Sequence, residues 1–298
     1  MTHRNKSNKQ KNEKKRISKS SVLLIVMFIT GLSLLIYPSF SNAWNQAHST
    51  RLVASYDNAV KHLKEDDKKE LLTAAEEYNQ SLLSNPSRYQ MTDEERKEYE
   101  SLLNVGGNGI MGYISIPDID VELPIYHGTD NAVLTIGAGH LEGSSLPVGG
   151  TGTHAVITGH RGLPRAKLFT DLPKISEGSI FQITVLNKTL TYEVDQILTV
   201  LPDEVESLEI DPQQDYVTLV TCTPYGINSH RLLVRGHRID NPESVVSAEA
   251  GQIDKRIVAA YTCIPILLVV LVLLFIKGQR RHKAKQEWKH FEDDLDEE

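Results

Sequence analysis

Hydrophobic positions divide the chain into four regions of different texture. An uncharged apolar run, 22–37, stands near the start, and a second, 257–276, stands near the end. Over residues 47–83, apolar side chains recur at steps of three and four, which predicts amphipathic helix. From residue 110 the pattern changes to short runs rich in β-branched residues between turn residues, which predicts strands.

The two apolar runs predict membrane-spanning helices. With its flanks the first occupies 21–40, and both runs reach the ~20 residues that a bilayer requires. Basic residues cluster in 1–20, before the first run, and in 277–285, where the tail 277–298 follows the second run. By the positive-inside rule both termini are then cytoplasmic, and the region between the spans lies outside the cell membrane. A cleaved signal peptide is the alternative for the first run, since Ser41-Asn42-Ala43 resembles a cleavage site.

A helical region, 45–105, precedes the strands. Its pattern breaks at Asn85-Pro86-Ser87, and the sequence Thr92-Asp93-Glu94-Glu95 is a capping box that predicts a second, short helix up to about Leu103. A spacer that lifts the following domain off the membrane is one interpretation of this region.

The region 106–240 predicts a mainly β domain, followed by a polar linker, 241–256. Eight strands are predicted, at Gly112–Ile116, Val121–Tyr126, Ala132–Ile136, His154–Thr158, Ser179–Val185, Thr189–Val200, Tyr216–Thr221 and Arg231–Arg235. A short helix is predicted at Ala166–Leu172. Eight closely spaced strands are typical of a closed barrel or a sandwich.

Cysteine usage singles out one candidate nucleophile. Cys263 lies inside the second apolar run, so Cys222 is the only cysteine of the external domain. External domains generally pair their cysteines or avoid them, and a single thiol there indicates reactivity. If the flanking strands pair as neighbours, Cys222 at the end of one lies close to Arg231 at the start of the next. A thiol facing a guanidinium can be a nucleophile beside an oxyanion partner, although a structural cysteine and a surface arginine are the alternative.

A histidine framed by glycines is the second candidate. In Thr158-Gly159-His160-Arg161-Gly162 the glycines allow a backbone that exposes His160 at a strand end, where it could act as general acid and base for a thiol. The other histidines of the domain are expected to be packed or solvated: His127, His140, His154, His230 and His237. The net charge of −7 says little about partners because it is unevenly spread; no nucleic-acid partner is expected, and no metal-ligand cluster is visible.

Three separated motifs, in the right order, resemble the sortase family of Gram-positive cysteine transpeptidases. The family pattern Thr-Leu-x-Thr-Cys followed by an arginine matches Thr218 to Cys222 with Arg231, and the Gly-His-Arg-Gly-Leu-Pro stretch matches Gly159 to Pro164. The stretches Gly139 to Pro147 and Ala166 to Phe169 are similar to class C, the pilus-assembling sortases. The resemblance covers about residues 45–245, and two membrane spans are also typical of class C.

The resemblance implies an eight-stranded sortase β-barrel with an N-terminal helical region and two transmembrane helices. It assigns Cys222 as nucleophile, His160 as general acid and base, and Arg231 as the donor that aligns substrate and stabilises the oxyanion. Substrate contacts are expected at these residues: Thr221, Gly159, Arg161 and Ser229. The implied reaction cleaves the Thr–Gly bond of an LPXTG-like sorting signal through a thioacyl enzyme. A pilin lysine amine then resolves the thioacyl enzyme into an isopeptide bond, without a cofactor.

Class C enzymes carry a lid with an Asp-Pro-aromatic motif before the barrel, and this chain departs from that motif. The corresponding stretch reads Asn85-Pro86-Ser87-Arg88-Tyr89, without the carboxylate and with the aromatic residue displaced. Residues 84–91 are therefore expected to form at most a weak lid, in which Pro86 shapes the chain and Tyr89 stacks over Cys222 or His160.

Three other functions stay open at this point. A housekeeping sortase would anchor surface proteins to peptidoglycan instead of polymerising pilins. An L,D-transpeptidase also uses Cys, His and Arg, but it would need a Ser-His-Gly-Cys type motif. A membrane-tethered binding module with a vestigial cysteine would have no activity at all.

Overall fold

The structure is a computed structural model that describes residues 19–163 and 166–241. Three helices come first: α1 at Lys19–His62, α2 at Glu65–Leu82 and α3 at Asp93–Ser101. The predicted helix over 47–83 is therefore two helices, the end of α1 and the whole of α2. The second predicted span, 257–276, lies outside the described residues.

Helix α1 carries the first apolar run. Its segment Val26–His62 contains a window long and apolar enough to cross a membrane. Leu34 and Leu35 are 71 % and 79 % exposed within the described chain, which suits side chains that face lipid. The helix continues through Pro38, and Tyr56 near its end donates a hydrogen bond to the carbonyl of Met111 on the barrel. α1 therefore joins an apolar segment to the β domain.

The capping box predicted at the start of α3 is confirmed. The hydroxyl of Thr92 accepts from the backbone N–H of Glu95, and the carboxylate of Glu95 accepts from the N–H of Thr92 at 2.7 Å. Two of the unpaired donors at the helix start are thereby satisfied. At the other end of α3, Tyr99 is fully buried and its hydroxyl contacts Nδ1 of His140 at 2.8 Å, which fastens the helix to the barrel.

Eight strands form a closed barrel in the order β1-β2-β3-β4-β7-β8-β6-β5. They are β1 Ile110–Ile116, β2 Val121–His127, β3 Ala138–His140, β4 Thr153–Thr158, β5 Ile180–Val185, β6 Lys188–Val200, β7 Asp215–Thr223 and β8 His230–Ile239. The prediction of a mainly β, eight-stranded barrel after a helical region is confirmed.

One predicted strand was wrong. The run predicted as a strand at Ala132–Ile136 is a helix, α4 at Asn131–Ile136, and the third strand is β3. Periodicity alone does not separate a strand from a helix in an apolar run this short. The helix is favoured because Val133 and Leu134 then pack together against Gly139.

The helix predicted at Ala166–Leu172 was also wrong. The described part contains a turn around Phe169 and a single 3₁₀ turn at Leu172–Lys174. Leu168 has a φ of 39°, in the left-handed region, which ends any α-helix at that residue. The turn buries Phe169 completely, so the packing of this ring outweighs the helix-forming composition of the segment.

Strand pairing places three chain segments side by side. β4 and β7 run parallel, with Thr158 opposite Val220. β7 and β8 run antiparallel, with Cys222 opposite Arg231. The C-terminal ends of β4 and β7 and the start of β8 therefore lie at the same end of the barrel.

Candidate active site

The thiol and the guanidinium face each other across one strand pair. Cys222 and Arg231 are directly opposite in the β7–β8 ladder, so their side chains point to the same face of the sheet. Cys222 is a free, partly buried thiol. Nη1 of Arg231 donates to the carbonyl oxygens of Asn228 and His230, each at 3.2 Å, so the loop holds the cation beside the thiol.

His160 lies at the same end of the barrel as Cys222 because hydrogen bonds join the end of β4 to β7. The N–H of Gly159 donates to the carbonyl of Val220 at 3.0 Å, and the hydroxyl of Thr221 donates to the carbonyl of Gly159 at 2.7 Å. His160 follows directly, beside the residue that precedes Cys222. The N–H of Phe169 donates to the carbonyl of His160 at 3.1 Å and fixes the backbone on its other side.

The glycine before His160 is required by packing. A Cβ at Gly159 would lie 2.6 Å from the ring of Phe169, which is closer than any real side chain tolerates. The buried ring of Phe169 thus covers the backbone behind His160. Partial burial also lowers the pKa of His160, because desolvation disfavours the imidazolium. A neutral imidazole near pH 7 can accept a proton from a thiol.

Two of the four expected substrate contacts serve the framework. Thr221 is 1 % exposed and its hydroxyl is committed to Gly159. Because neighbouring side chains of a strand point to opposite faces, Thr221 faces the interior while Cys222 faces the site. The hydroxyl of Thr221 is thus bonded to the framework, and a substrate contact at this residue stays a prediction. Gly159 offers only backbone, and that backbone pairs with β7.

The other two expected contacts lie on the loops that border the site. Nη1 of Arg161 donates to the hydroxyl of Thr223 at 3.2 Å, and its guanidinium lies 5.8 Å from the ring centre of Tyr225. Gly162, with a φ of 80°, leaves space for the same ring. Ser229 is exposed on the β7–β8 loop, and its hydroxyl contacts Nδ1 of His230 at 2.9 Å.

The structure does not place the segment 84–91 over the thiol. Pro86 is exposed, and the ring of Tyr89 lies against Gly143 beneath the guanidinium of Arg88. The side chain of Arg88 is buried and forms an ion pair with Glu209 at 3.0 Å.

These contacts locate the segment 84–91 at the other end of the barrel. The carbonyl of Glu209 accepts from Nδ1 of His154 at 2.8 Å. His154 precedes His160 by six residues along β4 and its extension, which is roughly 20 Å of strand. The expectation that Tyr89 stacks over Cys222 or His160 is corrected, because the Arg88–Glu209 pair anchors the segment elsewhere.

One residue at the site has no signal in the sequence. Oδ1 of Asn131 lies 3.3 Å from Nε2 of His160, although the two residues are 29 positions apart. Asn131 opens α4 and stands just before the stretch predicted as a strand, so its side chain had no predicted direction. Only a correct assignment of that helix, together with the β3–β4 pairing, brings it to His160.

A thiol, an imidazole and a guanidinium on adjoining strand ends of a closed barrel define a candidate site for cysteine-based acyl transfer. The chain belongs to the sortase family, whose members are cysteine transpeptidases. The family model described as the sortase domain matches residues 114–239.

The structural relatives include class C sortases. Sortase C1 from Streptococcus agalactiae is 50 % identical, with a TM-score of 0.62 over 64 % of this chain and 100 % of that one. Sortase C from Clostridium perfringens, solved with the C-terminal cell wall sorting motif, is 42 % identical, with a TM-score of 0.57 over 64 % of this chain and 99 % of that one.

Among curated relatives, sortase A of Streptococcus agalactiae serotype III is 34 % identical over 117 residues. That match covers 38 % of this chain and 47 % of the relative. The chain thus spans about half the length of the first curated relatives that it matches.

Proposed function

We propose that this chain is a membrane-anchored class C sortase that joins pilins through their sorting signals. The observation that carries the proposal is the direct opposition of Cys222 and Arg231, with His160 held at the next strand end. The likeness to class C structures over the whole of their length supports the class. The bound sorting motif of the Clostridium perfringens relative supports the substrate.

The proposed reaction has two acyl transfers. Sγ of Cys222 attacks the carbonyl carbon of the Thr–Gly bond in an LPXTG-like signal, and Arg231 stabilises the developing oxyanion. His160 passes the thiol proton to the leaving glycine amine, and the C–N bond breaks to leave a thioester on Cys222. A pilin lysine amine then attacks the thioester, His160 returns the amine proton to the departing sulfur, and an isopeptide bond forms.

The chemistry suits a site outside the cell. A thioester retains the acyl-transfer potential of the cleaved bond, so the second step needs no nucleotide. The planar guanidinium fork of Arg231 can donate two hydrogen bonds to one substrate. Arg161 and Ser229, on the loops that border the site, are the proposed contacts for the sorting peptide.

The apolar segment of α1 supports membrane attachment of the whole chain. In the proposed topology both termini are cytoplasmic, a second span follows the barrel, and the catalytic domain faces outward. This arrangement would bring the thiol to pilin precursors that are themselves held at the membrane surface.

The test uses the full chain in detergent micelles, a sorting-signal peptide and a lysine-containing peptide. Mass spectrometry should find the peptide–lysine adduct with the parent chain and none with Cys222→Ala. Arg231→Lys should reduce kcat/KM on the order of 10²–10³, because an ammonium cannot reproduce the fork. Arg238→Lys, on the same strand but bonded to the carbonyl of Thr191, is the matched control and should stay close to the parent.

Two results would contradict the proposal. Adduct formation by Cys222→Ala would reject Cys222 as the nucleophile. A kcat/KM of Arg231→Lys within about threefold of the parent would reject the oxyanion role of Arg231. The sortase A relatives favour a second candidate, in which a peptidoglycan amine is the acceptor. A reaction that accepts a peptidoglycan stem-peptide amine and rejects the lysine peptide would replace pilin joining by cell-wall anchoring.

A further inference from the structure

The imidazole of His160 has a single polar partner within residues 19–163 and 166–241. Its Nε2 faces Oδ1 of Asn131 at 3.3 Å, and Nδ1 makes no hydrogen bond to the described residues. Cys222 and Arg231, the other two members of the site, lie on β7 and β8. The Asn131 contact comes from a separate element, the helix α4.

The position of Asn131 is set by packing of α4. The hydroxyl of Thr135 donates to the carbonyl of Asn131 at 2.6 Å, and the N–H of Leu134 donates to the carbonyl of Asp130 at 3.0 Å. Leu134 is buried against Gly139 of β3. The amide is therefore presented from a packed helical turn, although its own side chain is exposed.

We infer that Asn131 is a positioning residue that holds His160 in the tautomer with the proton on Nε2 and the lone pair on Nδ1. An amide oxygen can only accept a hydrogen bond, and a neutral imidazole has one N–H to donate. With Oδ1 facing Nε2, the proton must sit on Nε2. Nδ1 is then the nitrogen that exchanges protons with the thiol and with the substrate amine. The importance for catalysis rests on the function proposed above, whereas the tautomer does not.

A neutral partner suits this histidine better than a carboxylate would. An aspartate at position 131 would also accept from Nε2–H, but its charge would stabilise the imidazolium. Desolvation lowers the pKa of His160, and the amide orients the ring without opposing that effect. The titratable groups on the surrounding elements are Cys222 and Arg231, Arg161 after β4, and Asp130 before α4.

The tautomer can be measured directly on the full chain labelled with ¹⁵N-histidine in detergent micelles. Long-range ¹H–¹⁵N correlation distinguishes the two ring nitrogens, and His160→Gln assigns the signal. We expect the Nε2–H pattern in the parent and a mixture of tautomers in Asn131→Ala. An Nδ1–H pattern in the parent, as the reversed amide would give, or an unchanged pattern in Asn131→Ala would overturn the inference.

Asn131→Asp separates orientation from charge. We expect it to keep the Nε2–H pattern and to raise the titration midpoint of the His160 ring by about one pH unit. A midpoint that does not move would show that residue 131 does not contact the ring in solution. Thr135→Ala, on the same helix but without contact to His160, is the control for a disturbed helix and should leave the tautomer as in the parent.

Peptide transfer tests whether the orientation matters for catalysis. In Asn131→Ala we expect kcat to fall about 3- to 10-fold with KM unchanged, the size of one net hydrogen bond. Asn131→Asp should recover much of this loss at a pH above its raised midpoint. A shifted tautomer with unchanged kcat would overturn the positioning role. A parent chain without any transfer would instead reject the proposed function and leave the tautomer result standing.

Discussion

Two buried histidines should make the barrel unstable in mild acid. Burial lowers the pKa of His140 from its usual value near 6.5 to about 4, and it lowers that of His154 to about 4 as well. Both histidines have hydrogen-bond partners as neutral rings: Nε2–H of His140 donates to the carbonyl of Ser145 at 2.8 Å, and Nδ1–H of His154 donates to the carbonyl of Glu209. Protonation would add a proton to the other ring nitrogen, which could then no longer accept a hydrogen bond.

The magnitude follows from the difference between the folded and unfolded states. As the pH falls below about 6.5 the unfolded chain binds a proton at each of the two histidines, whereas the folded chain does not until about pH 4. The unfolding free energy should therefore fall across this window, by about 1.4 kcal/mol per pH unit for each histidine. The total is of the order of 3 kcal/mol for His140 and a similar amount for His154.

Urea unfolding of the full chain in detergent, followed by near-UV circular dichroism of the buried tyrosines, measures this at several pH values between 7.5 and 4.5. His140→Gln and His154→Gln should each flatten the pH dependence by about 1.4 kcal/mol per unit. Val156→Ala, a core truncation without a titrating group, should lower stability equally at every pH. Carboxylates titrate in all variants, so the difference between slopes isolates the histidines. Slopes that are equal in the parent and both glutamine variants would refute the reasoning.

Three further substitutions test other parts of the structure. Tyr89→Ala should leave the rate of Cys222 alkylation within about twofold of the parent, since a closed lid that opened 1 % of the time would give a rise of about a hundredfold. A tenfold rise in the alkylation rate would indicate that the segment 84–91 covers the cleft. Thr221→Val should lower the unfolding free energy by about 1–3 kcal/mol, because the carbonyl of Gly159 loses its donor; equal urea midpoints would contradict that tie. Gly159→Ala should reduce peptide transfer by about tenfold or more, because its methyl displaces Phe169 and shifts His160. Wild-type transfer rates would contradict the close packing.

Most of the barrel could be predicted because a strand with one buried face shows alternating apolar and polar residues in the sequence. Ile114 and Ile116 of β1 alternate with less buried positions, and Phe181 and Ile183 of β5 do the same. The Cys222–Arg231 pair could also be predicted, since a short loop between antiparallel strands leaves few alternative registers. The first of these predictions needed only local patterns and the second only one short connection.

The errors came from packing and pairing contacts that the local pattern of the sequence does not show. The run at Ala132–Ile136 became a helix because Gly139 of β3 leaves room for Val133 and Leu134. The segment 84–91 lies away from the site because of Arg88, whose partner Glu209 is 121 positions further along. The residues around Arg88 and around Glu209 show no pattern that identifies the partner, so this pair could not be predicted from the sequence.

The sequence by itself determined most of the elements and the candidate reactive groups of this protein. Apolar spacing located the N-terminal apolar segment and most strands, and the cysteine count and the glycine-framed histidine singled out Cys222 and His160 as candidates. Only the tertiary structure decided how those groups meet. The parallel pairing of β4 with β7, the partner of His160 on α4 and the anchoring of Tyr89 each join residues far apart in the chain. Such contacts are selected by the packing free energy of the whole barrel, to which no single stretch of sequence contributes more than a part.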